Sequence, residues 1–422
     1  MGQEYSVRWV LMVLTAVCVA SSPAQAEDYN YPYHDPYLAT VTGASLNADG
    51  LTPGIKRRVV HVSVLTGRDK LPKLEGRGEL SVALYQQKRA APLVFILPGT
   101  GSNPYFGLAT YFAKLFYQDG AHVVIMPSPM SWNFALAASR SGAPGYTPDD
   151  ARDLYGAMQR TLDVLKARHH LKVTRINLMG MSLGALEGAY VSVLDNAERG
   201  IGIARYLLVN PPLDVASVLK QLDEWDSLKE KFGAERSKEI AGKALGIVEA
   251  FTNQKRDDLA AFDGLAKGFA SFTTEELQFL IAEYLQTVLP ELVTVTQAIR
   301  DQHVLSAPQG EVRKRIEEAK GMTFTEYSDK IAVPVWRIQT GEANMDSDGF
   351  SARGSLDTIL EQLRGNPRIY IMHNTDDFLA GPKSIEQLKD VLGDHVILYP
   401  YGGHLGNLWF PQNRAAVRRL LK

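Results

Sequence analysis

The sequence predicts an α/β fold, in which a mostly parallel central sheet carries helices on both faces and a helical cap is inserted late in the chain. Three observations support this prediction. Short apolar runs alternate with helix-prone segments between residues 93 and 209, which is typical of a parallel sheet. A serine flanked by glycines directly follows one of these runs, and residues 213–330 form a long helical stretch rich in lysine and glutamate. The chain of 422 residues is long enough for one large domain plus this insertion.

The N-terminus has the pattern of a secretory signal peptide over residues 1–26. Arg8 precedes an apolar stretch, and the small residues Ala24 and Ala26 match a cleavage site. An uncleaved membrane anchor is the alternative, but the apolar stretch is shorter than the roughly 20 residues that a bilayer span needs. The only cysteine, Cys18, lies in this segment, so the mature chain would contain no disulfide and no cysteine nucleophile. We expect a periplasmic or secreted protein.

Residues 27–56 are predicted to be an extended N-terminal segment, because residues 29–37 are rich in tyrosine and proline. We expect this segment to wrap on the domain surface, with a carbohydrate-binding or partner-binding strip as the alternative. Residues 58–65 and 80–85 then alternate and contain β-branched side chains, which predicts antiparallel strands ahead of the parallel core.

The α/β core is assigned to residues 57–212 and 331–422. Its apolar runs predict parallel strands and the segments between them predict helices. We expect strands at residues 93–97, 122–126, 176–179 and 206–209, and helices at residues 105–118 and 148–168.

The insertion, residues 213–330, contains four candidate helices at residues 215–232, 237–251, 274–289 and 311–320. Its position in the chain favours a cap over the active site, and an extra packing subdomain is the alternative. Residues 277–293 are densely apolar. If one face of this stretch lined the site, the acyl pocket would be apolar and would suit medium or long acyl chains.

A predicted strand, a sharp turn and a predicted helix meet at Ser182, which lies in the string Gly180-Met181-Ser182-Leu183-Gly184. In such a nucleophile elbow the serine is held in a strained turn, and the two glycines leave room for the neighbouring strand and helix. The sequence therefore predicts Ser182 as a nucleophile.

A serine nucleophile needs an imidazole to take its proton and a carboxylate to orient that imidazole. An apolar run at residues 368–372 is followed by Asp376 and Asp377, and a second run at residues 396–398 is followed by His404, which glycines flank. We predict His404 as the general base and Asp377 as the acid, with Asp376 as the direct competitor.

The chain order Ser182, Asp377, His404, each just beyond a predicted strand, resembles the α/β-hydrolase superfamily, in particular its secreted bacterial members with a helical cap. The resemblance covers most of the chain after the first 56 residues, apart from the insertion. It implies an oxyanion hole made by the backbone N–H of Leu183 and by one N–H after the first parallel strand. For the second donor, Thr100 is our choice among residues 99–101. The loop departs from the family pattern in having a proline before these residues, where members commonly carry histidine.

Asp346 is a weaker competitor for the role of acid. Residues 331–336 resemble the segment that often precedes the acid strand in the family, and residues 341–344 follow it. Asn344 stands at the aligned position, and an asparagine cannot supply the negative charge that stabilises an imidazolium. We therefore interpret residues 331–336 as a duplicated or displaced strand and keep Asp377.

The motifs and the resemblance predict a serine esterase or lipase-like enzyme that works through an acyl-enzyme and uses no metal or organic cofactor. An amidase or acyltransferase with the same residues is an open alternative, as is a non-catalytic binding protein on this scaffold. The expected substrate is a small-molecule or lipid ester, and a lipid ester would bring transient contact with a membrane surface. The sequence does not indicate an oligomeric state.

Charge and the remaining polar residues point to no other class of protein. The formal net charge is −2 and the pI is near 6.5, so the sequence indicates no basic face for nucleic acid. Glu187 and Glu342 are expected to be surface charges, because neither has a second carboxylate at a spacing that suits a glycosidase. His169 and His170 are expected to cap helix carbonyls rather than to bind metal.

Overall fold

The computed structural model of the chain describes residues 29–45, 54–68, 77–101, 105, 107–198, 200–254 and 259–422. The predicted signal peptide and Cys18 lie outside these ranges. Residues 31–422 form one compact unit, to which all the elements named below belong. Among the helices in the described ranges, none has both the length and the apolar character that a membrane span requires.

One eight-stranded sheet forms the centre of the described structure, with the strand order β1-β2-β4-β3-β5-β6-β7-β8. The strands β1 and β2 are antiparallel, as are β2 and β4, and all other neighbours are parallel. The strands are β1 (Arg58–Val62), β2 (Leu80–Tyr85), β3 (Ala91–Leu97), β4 (His122–Ile125), β5 (Val173–Met181), β6 (Arg205–Val209), β7 (Ile369–Asn374) and β8 (Val396–Tyr399).

Helices precede, connect and follow these strands. They are α1 (Pro36–Ala44), α2 (Gly107–Gln118), α3 (Trp132–Ala137), α4 (Thr147–His169), α5 (Leu183–Glu198), α6 (Val215–Asp226), α7 (Leu228–Gln254), α8 (Leu259–Phe269), α9 (Thr274–Gln286), α10 (Leu289–Ile299), α11 (Val312–Ala319), α12 (Phe324–Tyr327), α13 (Val333–Thr340), α14 (Ser347–Arg353), α15 (Leu360–Leu363), α16 (Pro382–Leu392) and α17 (Pro411–Leu420). A π-helical turn, Ser328–Ala332, joins α12 to α13.

The predicted fold class is confirmed: the mixed sheet, its strand order and the strand-serine-helix turn after β5 are the α/β-hydrolase architecture. The central strands are buried and apolar, as strands covered by helices on both faces must be. Strand β3, for example, is buried at every position except Pro92. Parallel strands place their carboxyl ends at one edge of the sheet, which is where ligand sites occur in such folds.

The structure differs from the predicted extended N-terminal segment, because Pro36–Ala44 form helix α1. Asp35 begins this helix: its side chain accepts a hydrogen bond from the N–H of Leu38, and a proline occupies the first turn, where its missing N–H costs nothing. Tyr31 and Tyr33 ahead of it are buried, so they belong to the core of the unit rather than to its surface.

The predicted strand at residues 331–336 is wrong, because these residues lie in the π-helical turn and in helix α13. A short buried apolar run fits a helix as well as a strand, and Pro334 is tolerated because it occupies the first turn of α13. After β6 the described chain forms no strand until Ile369, so the helical insertion runs past the predicted boundary at residue 330.

Candidate active site

The turn between β5 and α5 holds Ser182 in a left-handed conformation, with a φ of 54°. Its N–H donates to the carbonyl of Val209 on the neighbouring strand, at 2.9 Å. A Cβ added to Gly180 would collide with the backbone of Gly184, and one added to Gly184 would collide with the carbonyl of Leu97. The two glycines are thus required by the close approach of strand and helix, and the strained serine backbone is the one that a nucleophile elbow imposes.

The structure brings together the three residues that the sequence singled out. Nε2 of His404 lies 2.8 Å from Oγ of Ser182, and its Nδ1 lies 2.9 Å from Oδ2 of Asp377. Asp377 and His404 are 3% and 8% exposed, and Ser182 is 9% exposed, so the hydrogen-bonded chain is shielded from bulk water. With the histidine proton on Nδ1, facing the carboxylate, Nε2 is free to accept the serine proton.

Both carboxylate oxygens of Asp377 accept hydrogen bonds from other residues. Besides the imidazole, the side-chain amide of Asn210 donates to Oδ2 at 2.6 Å, and the N–H of Leu379 donates to Oδ1 at 3.0 Å. Burial alone would raise the pKa of this carboxyl, but the charge and hydrogen bond of His404, together with His373 and the Leu379 N–H, outweigh it and hold the pKa below its ordinary value. Asp377 is therefore ionised and oriented.

Asp376, the alternative acid, does not contact the imidazole of His404 but supports its loop. It accepts hydrogen bonds from the N–H groups of Gly402 and Gly403, at 3.1 and 2.9 Å. Burial raises the pKa of Asp376, and these two N–H groups partly offset that rise. Geometry therefore separates the neighbours: Asp377 contacts the ring and Asp376 holds the backbone before it.

The loop that carries His404 packs against helix α1. The N–H of His404 donates to Oγ1 of Thr40 at 2.8 Å. Gly403, with a φ of 54°, approaches the carbonyl of Pro36 so closely that a side chain would collide with it. Tyr31 donates from its hydroxyl to the carbonyl of Gly406 at 3.1 Å. Helix α1 and the residues just before it thus support the loop that carries the histidine.

The two predicted oxyanion donors lie beside Ser182. Leu183 is the first residue of α5, so its N–H is among those that a helix leaves without an internal partner. Thr100 follows β3, and both residues line one cavity. The loop passes so close to the elbow that a Cβ on Gly99 would come within 2.8 Å of the Ser182 Cβ. Their role as oxyanion donors stays a prediction.

The remaining sequence candidates lie away from this centre. Asp346 begins helix α14 by accepting from the N–H of Gly349, and Glu342 forms an exposed ion pair with Arg353. His169 lies 3.1 Å from the Arg58 guanidinium at the surface, and the N–H of His170, in the left-handed conformation, closes α4 by donating to the carbonyl of Leu165.

The prediction of a surface charge at Glu187 is wrong, because this side chain is 1% exposed. Helix α5 packs against both α4 and the sheet, so it is buried along most of its length and has no solvated face near Glu187. The sequence carried a signal for this: Glu187 is the only charged residue in the otherwise apolar or small stretch 183–194.

Sequence reasoning also missed two supports of the site. Asn210, at the carboxyl end of β6 and with a φ of 47°, donates to Asp377, and Thr40 accepts from His404. The position of Asn210, polar and just beyond a buried strand, was a signal that could have been used. Thr40 carried none, because it lies 364 residues before its partner.

Two cavities adjoin the oxyanion loop, and residues of the insertion line both. One, of about 250 Å³, lies between Gly101, Trp132 and residues 287–291 of the insertion. The other, of about 80 Å³, lies between Thr100, Leu183 and the helices α6 and α12. In the apolar stretch 277–293, helix α9 buries Leu277, Phe279 and Ile281 and helix α10 buries Leu289, Leu292 and Val293, whereas Tyr284 is 49% exposed. Within the described ranges, no three His, Cys, Asp or Glu side chains are grouped so that they could hold a metal ion.

No family model and no curated protein matches this chain. Solved structures with a similar fold include the thioesterase domain from the curacin biosynthetic pathway, at 14% identity over 87% of this chain and 100% of that one, with a TM-score of 0.40.

Two further similar structures are a proline iminopeptidase from Mycobacterium smegmatis and brefeldin A esterase, a bacterial homologue of human hormone sensitive lipase. The first is 16% identical over 86% of this chain and 97% of that one, with a TM-score of 0.41. The second is 12% identical over 92% of this chain and 86% of that one, with a TM-score of 0.40. These likenesses show nothing of the activity of this chain, and the proposed function rests on the site itself.

Proposed function

We propose that the protein is a serine hydrolase that cleaves carboxylic esters through an acyl-enzyme. One observation carries this proposal: the unbroken hydrogen-bonded chain from Asp377 through His404 to Ser182, with the serine in the strained turn between β5 and α5. A nucleophile, a base within reach and a carboxylate that orients the base are the three requirements for covalent catalysis by serine.

In the first half-reaction Oγ of Ser182 attacks the ester carbonyl carbon while Nε2 of His404 takes the hydroxyl proton. The carbon–oxygen bond to the alcohol then breaks, and the imidazolium gives its proton to the departing alkoxide, which leaves the acyl group on Ser182. The ionised Asp377 stabilises the imidazolium in between, which is the role that its lowered pKa supports.

In the second half-reaction water takes the place of the alcohol. His404 removes its proton, the new oxygen attacks the acyl carbon, and the carboxylic acid leaves as the proton returns to Oγ of Ser182. Negative charge develops on the carbonyl oxygen in both halves, and we assign its stabilisation to the N–H groups of Leu183 and Thr100. The position of Leu183 at the start of α5 adds the positive end of the helix dipole.

A fluorophosphonate probe tests the proposal directly. The purified protein is treated with the probe, and the labelled residue is mapped by mass spectrometry in the wild type, Ser182→Ala and His404→Ala. We expect labelling at Ser182 in the wild type only, together with loss of activated-ester hydrolysis in both variants. Ser192→Ala and His395→Ala are the matched controls, because Ser192 is buried in α5, the helix that follows Ser182, and His395 contacts β7 without reaching the site.

Unchanged ester hydrolysis in Ser182→Ala would overturn the proposal. Turnover with transfer of the acyl group to an added alcohol, at the expense of acid release, would instead identify an acyltransferase. Ligand binding without labelling or turnover would identify a binding protein on this scaffold.

A further inference from the structure

The smaller cavity beside the elbow has carboxyl groups in its lining that the mechanism does not use. It has a volume of about 80 Å³, several times the roughly 10–15 Å³ that one water molecule requires. Thr100 and Leu183 are among its lining residues, whereas His404 and Asp377 are not. The cavity therefore lies on the side of the oxyanion donors and away from the imidazole.

Two buried carboxyls, Glu187 and Asp150, form part of the lining. Asp150 accepts from the N–H of Gly145 at 2.6 Å, but Oε2 of Glu187 has no hydrogen-bond partner among the described residues. The neighbouring Asp153 already has a cation, since it pairs with Arg140. Burial, and then the neighbouring carboxyls, raises the pKa of both Glu187 and Asp150 well above the ordinary range. Without a partner the ionised form of Glu187 is unfavourable, and a bound cation would supply that partner.

The lining of the cavity includes a second polar atom without a partner among the described residues. Ser328, in the π-helical turn, is 4% exposed, and its hydroxyl makes no hydrogen bond within the part of the chain that the structure covers. Aromatic side chains, Phe324, Tyr327 and Phe350, also line the cavity. Aromatic faces attract cations, and a hydroxyl accepts from an ammonium N–H. An apolar ligand would leave both Glu187 and Ser328 unsatisfied.

We propose that this cavity is a subsite for a protonated amino group in the acyl part of the substrate, with the Glu187 carboxylate as counter-ion and the Ser328 hydroxyl as acceptor. The inference rests on the proposed function, because it takes Ser182 as the nucleophile. The acyl side is assigned because the leaving alcohol must receive its proton from His404, which does not line the cavity. The small volume restricts the group to a compact ammonium close to the carbonyl carbon.

A matched pair of esters tests the subsite. The p-nitrophenyl esters of β-alanine and of butyric acid are of similar size and differ in an ammonium group for a methyl group. Each kcat/KM is divided by the ester's rate of hydrolysis by hydroxide, which removes the difference in intrinsic reactivity. We expect the wild type to prefer the β-alanyl ester by at least about tenfold, and Glu187→Gln to reduce that preference about 10- to 100-fold, as expected for loss of a hydrogen-bonded charge. Glu342→Gln, which removes an exposed carboxylate, should keep the preference.

The outcomes separate the two proposals. Serine-dependent turnover of both esters with no preference for the β-alanyl ester would overturn the subsite and leave the esterase standing. No turnover and no probe labelling would overturn the esterase and the subsite with it. If Glu187→Gln does not fold, propylammonium and propan-1-ol are compared on the wild type: the amine should slow probe labelling of Ser182 more strongly, and equal effects would overturn the subsite.

Discussion

Two buried carboxyls, those of Asp377 and Glu187, differ in how many hydrogen bonds the fold gives them. Asp377 is bonded to an imidazole, an amide and a backbone N–H, and its pKa is held low. Glu187 has one oxygen without a partner among the described residues, and its pKa is raised. Both are less than 5% exposed, so burial alone does not distinguish them. Hydrogen bonding distinguishes them. On the two proposals, Asp377, whose oxygens all accept hydrogen bonds, acts in catalysis, and Glu187, which has an oxygen without a partner, binds a ligand.

The largest expected effect is at Asp377. Asp377→Asn should lower kcat by about 10³–10⁴-fold, because an amide cannot stabilise the imidazolium and favours the wrong histidine tautomer. Asp376→Asn should lower kcat by less than about tenfold, because Asp376 does not contact the imidazole and the amide oxygen can still accept from one of the two loop N–H groups. Steady-state ester kinetics on the two variants give the ratio. Equal losses would contradict the assignment of the acid.

The next effect should come from Asn210, which supports Asp377. Asn210→Gly keeps the left-handed backbone and deletes the amide, so kcat should fall about 10- to 100-fold, the loss expected for one hydrogen bond to a buried charge. In Asn210→Asp the kcat should fall further, because this variant places a second carboxylate beside that of Asp377. If deletion of the amide left kcat unchanged, Asp377 would not depend on Asn210 for its orientation.

Thr40 should have a smaller effect as a positioning residue for His404. Thr40→Val removes the hydroxyl that accepts from the His404 N–H and should lower kcat about tenfold with KM unchanged. Thr40→Ser keeps the acceptor and should restore kcat. Thermal unfolding of both variants is measured in parallel. A fall in Tm with kcat preserved in Thr40→Val would indicate support of the fold only.

The smallest effect should be on stability, at Glu187. Above the ordinary glutamate pKa of about 4.3, and up to the raised pKa, the folded state binds more protons at this position than the unfolded state. The free energy of unfolding therefore falls as pH rises through this window. Glu187→Gln removes the titration, so its Tm should exceed that of the wild type by about 2–4 °C at pH 8 and by less at pH 5.

Asp377 should show the opposite sign, because its pKa is lowered. Its ionisation stabilises the folded state above the ordinary aspartate pKa of about 3.9, and that stabilisation is lost as pH falls through the lowered value. Scanning calorimetry of the wild type, Glu187→Gln and the control Glu342→Gln is carried out over both pH windows. A difference that grows with pH in Glu187→Gln, but not in the control, identifies the contribution of Glu187. A Tm difference independent of pH would contradict the raised pKa at Glu187.

Sequence patterns predicted the eight strands of the sheet and the candidate triad just beyond them, although they also predicted a strand at residues 331–336 and missed Asn210. The elbow around Ser182, the aspartates after β7 and the glycine-flanked His404 are local signals, because strand, turn and glycine spacing all act over a few residues. Asp376 and Asp377 could not be separated in this way. Adjacent side chains point in different directions, and the difference depends on loop backbone that no periodicity encodes.

The failures share a physical cause. Residues 331–336 are apolar and buried, and burial favours such a run equally in a strand or a helix. Glu187 and Thr40 are covered by segments distant in sequence, helix α4 and the loop of His404 respectively. Their burial and partners therefore depend on tertiary packing. Composition and spacing describe one segment at a time, whereas the burial and the partners of these residues depend on the other segments that pack against them.

The support that α1 gives to the histidine loop also sets when the site can exist during synthesis. The hydrogen bond between Thr40 and His404 joins residues 364 positions apart, and Ser182 lies between them in the chain. A ribosome makes α1 and the elbow long before it makes β8 and the loop that follows. On the proposed mechanism, Ser182 therefore has no base while the chain grows, and the nascent protein cannot cleave esters. On this mechanism, competence arises only after the loop that follows β8 has been made and has packed on α1.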